Sequence, residues 1–167
     1  ADHWNYDEVS EDCLKLNVWT PALDAKKRPV LVWLHGGGFT NGNGIEQDGY
    51  HGENFSKNGD MVFVSINHRL GPMGFIDLSG VVESKYSDSG NVSQLDIIAS
   101  LEWVRDNIEN FGGDPGNVTI MGQSGGGAKV TATMAMPAAK GLVHKGVALS
   151  GSMLQASDQE YSRELGE

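Results

Sequence analysis

Apolar residues along the chain fall into short runs separated by polar, glycine-rich stretches. Leu14, Leu16 and Val18 alternate with polar neighbours and the pattern stops at Pro21, which predicts a half-buried strand over 14–20. A charged loop follows over 22–29. Val30-Leu31-Val32-Trp33-Leu34 and residues 61–66 are nearly continuous apolar runs, the pattern of strands buried on both faces. Residues 118–121 and 146–150 predict two more strands. Glu53 to Asn58 predicts a short helix closed by Gly59, and residues 67–91 a long loop. The longest helix is expected to open at Ser93, with Ser93 as capping side chain and Asp96 three residues on. Along it Ile97, Leu101, Val104, Ile108 and Phe111 recur every three or four residues and turn one stripe to a core, up to the stop at 112–115. Small residues from Gly125 to Met136 predict another helix, stopped by Pro137.

Strands alternating with helices imply right-handed crossovers and a mostly parallel sheet. The expected class is α/β, with about five strands and flanking helices in one unit. A length of 167 residues suits a single domain, and 39% hydrophobic residues supply a core. Neither repeats nor an apolar run of membrane-spanning length occur. The segment 1–8 is acidic and polar, unlike a signal peptide.

A formal net charge of −10 repels phosphate, which argues against nucleic acid or an anionic membrane as partner. The single Cys13 excludes an internal disulfide and a cysteine-rich metal site. Its histidines have no metal-ligand spacing, and neither a dinucleotide fingerprint nor a phosphate loop occurs, so no cofactor or metal is expected.

The 23 glycines mark the chemistry, because they cluster at two junctions. Gly122-Gln123-Ser124-Gly125-Gly126 fits G-x-S-x-G, directly after the 118–121 strand and before a small-residue helix. Without that context the motif is weak; with it, Ser124 sits where a nucleophile elbow requires a serine. His35-Gly36-Gly37-Gly38 ends another buried strand, where glycines let main-chain N–H groups approach a substrate and hold an oxyanion. A plain glycine loop and an incidental serine are the alternatives.

Five segments together resemble the type-B carboxylesterases, the cholinesterase-like branch of the α/β-hydrolases. They are Ser10-Glu11-Asp12-Cys13-Leu14 with Leu16-Asn17-Val18-Trp19; Val32 to Phe39; Asn67-His68-Arg69-Leu70-Gly71; Asn110-Phe111-Gly112-Gly113-Asp114-Pro115; and Gly122-Gln123-Ser124. The resemblance implies an α/β-hydrolase sheet, Ser124 as nucleophile, and the N–H groups of Gly37, Gly38 and Gly125 as oxyanion hole. It also implies Glu11 and Arg69 as an internal ion pair and Ser152 as a serine near the catalytic acid. The chain departs from the family at Gly125, where alanine is usual and glycine is expected to loosen the elbow. It departs too at Gln123 for glutamate, His68 for tyrosine and Ser93 for glycine.

A serine nucleophile needs a base and an orienting acid, in the order Ser, acid, His in this fold. His144 is the only histidine after Ser124, and no Asp or Glu stands between them. The expectation is therefore an internal piece of a single α/β-hydrolase domain, inactive alone and acting on a small carboxylic ester. Its partner would be the remainder of that domain, on the same polypeptide or on another chain. The competing expectation is a cholinesterase-like interaction domain without catalysis.

Overall fold

The computed structural model describes residues 9–82 and 84–166; the acidic segment 1–8 lies outside them. In chain order the regular elements are β1 (Leu16–Trp19), β2 (Arg28–Leu34), α1 (Glu53–Gly59), β3 (Val62–Ile66), α2 (Pro72–Phe75) and α3 (Val92–Asn107). They continue with β4 (Gly113–Gln123), α4 (Gly125–Ala135), β5 (Lys145–Leu149) and α5 (Gln159–Glu164). The five strands form one sheet in the order β1-β3-β2-β4-β5. Every pairing is parallel except that of β1 with β3, so the sheet is mixed and mostly parallel. Its C-terminal edge, where the parallel strands end, carries Leu34, Ile66, Gln123 and Leu149.

Alternation in β2 builds two cores. Val30, Val32 and Leu34 pack with Val62, Val64, Ile97, Leu101, Val104, Ile120 and Val130. Leu31 and Trp33 face the other side, with Tyr50 and Phe63. The predicted stripe of α3 is the helical side of the first core, with Phe111 half-buried at its end.

Boundaries differ from expectation where polar side chains have another task. The longest helix starts at Val92, its first-turn cap residue is Asn91, and no side chain caps it. Ser93 and Asp96 are instead buried and hydrogen-bonded to His68 and Arg69. β4 runs back to Gly113 because Gly113 pairs with Arg28 across an irregularity at Pro29, where proline has no N–H to offer. The short helix α1 closes one residue later than expected, on Asp60 in the left-handed region at φ 47. Sequence periodicity did not indicate α5, a short six-residue helix capped by Asp158, whose carboxylate accepts from the Glu160 N–H at 2.8 Å.

Candidate active site

Ser124 occupies the turn between β4 and α4 with φ 56 and ψ −121. That conformation costs a non-glycine residue about 1–3 kcal/mol and persists only when the surroundings enforce it. They do so here. The Ser124 N–H donates to the Leu149 carbonyl at 2.8 Å, and the Ser124 carbonyl accepts from the Ala128 N–H at 3.2 Å. The side chain is left at the C-terminal edge of the sheet, exposed.

The glycine loop after β2 lies directly against this turn. A Cβ on Gly36 would stand 3.5 Å from the Ser124 Cβ. Gly125 sits on the Gly38 main chain so closely that any side chain there would collide with the Gly38 carbonyl. The family's alanine therefore does not fit this arrangement, and the glycine permits close approach instead of loosening the turn. Gly37 (φ 81) and Gly38 (φ 64) hold left-handed conformations and are exposed beside Ser124. As the first residue of α4, Gly125 has an N–H without an intrahelical acceptor. Beyond β5, Gly151 packs on the Ser124 carbonyl, while Ser152 is exposed. The next residue, Met153, is tied to α4 by its N–H donating to Thr131 Oγ1 at 2.8 Å.

The expected Glu11–Arg69 ion pair is not what the structure contains. Glu11 is exposed, and Arg69 instead binds Asp96 through two guanidinium nitrogens, Nε at 2.9 Å and Nη2 at 2.7 Å. The Arg69 main-chain N–H reaches the same carboxylate at 2.9 Å. This fork-to-fork contact holds the Arg69 pKa above its ordinary value. Asp96 won because α3 presents it from the buried side, whereas Glu11 leads away into solvent.

Among the described residues, no histidine hydrogen-bonds Ser124. His144 Nδ1 accepts from the Val118 N–H at 3.1 Å, six residues back along β4 and so about 20 Å away. His51 stacks on Trp19. His35 and His68 stack on each other, with ring centroids 4.7 Å apart and planes within 4°. Burial, with the nearby Lys129 charge, pushes His35 down to about 4 and His68 to about 3, so both are neutral. Their Nε2 atoms are buried without partners.

Lys129, Glu46 and this histidine pair escaped the sequence reading. The signal for Lys129 was there: it is the one charged residue between Ser124 and Lys140. Among the described residues no three His, Cys, Asp or Glu side chains gather as a metal site, and no helix is long and apolar enough to cross a membrane. Two surface clefts, 440 and 240 Å³, lie at the opposite end of the sheet, near Trp19 and Gly113.

The sequence profile of the carboxylesterase family matches residues 2–165. The chain belongs to the carboxylesterase family. A para-nitrobenzyl esterase of Bacillus subtilis (strain 168) is 50% identical over 143 residues, covering 86% of this chain and 28% of that protein. An acetylcholinesterase of Gallus gallus is 44% identical over 153 residues, 91% of this chain and 19% of that one. Among solved structures, an esterase from anaerobic Clostridium hathewayi, described as able to hydrolyse aliphatic aromatic polyesters, superposes with a TM-score of 0.84. It is 53% identical and is matched over 86% of this chain and 28% of its own. The fold is that of the α/β-hydrolase esterases, and the chain spans under a third of the length of these relatives.

Proposed function

We propose that this chain carries the nucleophile and oxyanion hole of a serine carboxylic-ester hydrolase acting through an acyl-enzyme. The observation that supports it most is the strained Ser124 turn pressed against the Gly36–Gly38 loop, in a chain of the carboxylesterase family. Ser124 Oγ attacks the ester carbonyl carbon as its proton passes to a base. The N–H groups of Gly37, Gly38 and Gly125 hold the tetrahedral oxyanion. Collapse expels the alcohol, and water then releases the acid from the acyl-enzyme. Residues 1–167 form part of a single α/β-hydrolase domain whose remainder, on the same polypeptide or on another chain, supplies base and acid. Ser152 lies near that acid. Gln123 beside the nucleophile adds no negative charge, which favours a neutral ester over a cationic one.

Fluorophosphonate labelling of the full-length protein tests this reading. The expected result is one adduct, mapped to Ser124, and a loss of about 10⁶ in kcat for Ser124→Ala. The isolated 1–167 chain should lack efficient turnover, with Ser124→Ala changing it little. A folded full-length protein that forms no Ser124 adduct overturns the proposal in favour of a non-catalytic interaction domain.

A further inference from the structure

Helix α4 is built of small and apolar residues, yet it carries one fully buried charge. Lys129 is 0% exposed. Its ammonium donates to the His35 carbonyl at 3.3 Å and lies 5.5 Å from the centre of the Phe39 ring. His35 and Phe39 are the residues on either side of Gly36-Gly37-Gly38. One buried cation, five residues after Ser124, therefore grips both ends of the loop that presents the candidate oxyanion donors.

Packing alone does not account for a lysine here. A buried ammonium with one long hydrogen bond loses its hydration, and methionine would fill similar space at no such penalty. What a charge adds is a field, strong in a medium of low polarity, aimed at whatever develops on the far side of the loop. The titratable groups facing it are Glu46, with Tyr50 beside it, from the segment after β2, and His35 and His68 from the ends of β2 and β3. The two histidines are neutral, and Asp96 on α3 is held by Arg69.

We propose that Lys129 is a positioning residue for ester hydrolysis: its ammonium fixes the Gly36–Gly38 loop from beneath and sets a positive charge behind the oxyanion. The inference rests on the ester-hydrolase reading given above. Burial lowers the Lys129 pKa to about 8, opposed only by Glu46, so the charge is present at neutral pH and is lost above that value. Loss of this proton relieves a buried charge. Between about pH 8 and the ordinary lysine range the unfolded chain binds more protons than the folded one, so stability rises with pH. Activity should fall over the same interval, and opposite trends cannot come from alkaline unfolding.

The experiment compares the full-length wild type with Lys129→Met, using a neutral short-chain nitrophenyl ester from pH 6 to about 10, with urea midpoints at each pH. The expected wild-type kcat declines above about pH 8 while the midpoint holds or rises. Lys129→Met should lower kcat about 10-fold at neutral pH, less than loss of a direct oxyanion donor, with KM within about two-fold and no alkaline decline. Lys129→Arg should recover part of kcat and carry the decline beyond the measured range. A wild-type kcat that stays flat to about pH 10 overturns the proposal even if no variant folds. A folded Lys129→Met with wild-type kcat and profile overturns it too. A wild type that neither hydrolyses the ester nor labels at Ser124 instead defeats the ester-hydrolase reading.

Discussion

Strands β2 and β5 flank the same strand, β4, and both run parallel to it. Both are short and apolar in sequence, and both end at the Ser124 turn. Their surroundings differ completely. Every residue of β2 except Pro29 is buried, whereas all five residues of β5 are exposed. On the β2 side the turn packs against the main chain of the loop after β2, whose first residue, His35, stacks on His68 and accepts a hydrogen bond from Lys129. On the β5 side it is held by one main-chain hydrogen bond from Ser124 to Leu149 and by Gly151. The glycine loop proposed to bind an oxyanion is thus packed on the β2 side of Ser124, whereas β5 on its other side is exposed. Preorganisation depends on burial, and among the described strands β5 is the one exposed throughout.

The largest break in this comparison is Gly125→Ala. Its Cβ would strike the Gly38 carbonyl, so turn and glycine loop must separate and the proposed oxyanion donors diverge. We expect kcat of the full-length protein to fall about 10²–10³-fold, as for loss of one donor. Steady-state kinetics alongside circular dichroism checks this, and Leu149→Ala on the open side should cost far less.

The histidine pair makes the β2 side acid-sensitive. Folded His35 and His68 stay neutral down to about 4 and about 3, while in the unfolded chain both titrate near 6.5. Below 6.5 the unfolded state binds more protons, so stability falls as pH drops and levels off only near the folded values. The urea-derived stability should decline by about 2–3 kcal/mol between pH 7 and 5.5. A His35→Gln, His68→Gln protein should lose most of that slope.

Asp96→Ala and Glu11→Ala sharpen the contrast between a buried and an exposed carboxylate. Asp96 has a side chain only 5% exposed, while its partner Arg69 is 39% exposed, so solvent takes up part of the loss. Asp96→Ala should destabilise by about 2 kcal/mol, between the buried and surface limits. Glu11→Ala should change stability by under about 0.5 kcal/mol. Thermal unfolding of the two variants decides whether Arg69 depends on Asp96 or on Glu11.

The smallest effect belongs to the open edge. Val147 is 38% and Leu149 42% exposed on β5, an unpaired edge strand that invites association. Val147→Lys should alter stability by no more than about 0.5 kcal/mol while reducing self-association of the 1–167 chain in light scattering.

Period and punctuation in the sequence determined the element types, because a strand buried on both faces, a half-buried strand and a one-sided helix each leave their own apolar spacing. The strand before Ser124, the helix after it and the glycines after β2 were legible for that reason, and so was the α/β class. Spacing along a chain carries no information on which polar side chains meet across 25 or more residues. Only the tertiary structure decided that Ser93, read as the helix cap, serves His68, and that Asp96, read as the acid three residues on, binds Arg69. It alone stacked His35 on His68 and sank Lys129 beneath the glycine loop. Buried polar groups take whatever partners the packed fold brings within reach, since leaving them unpaired costs more than abandoning a local cap.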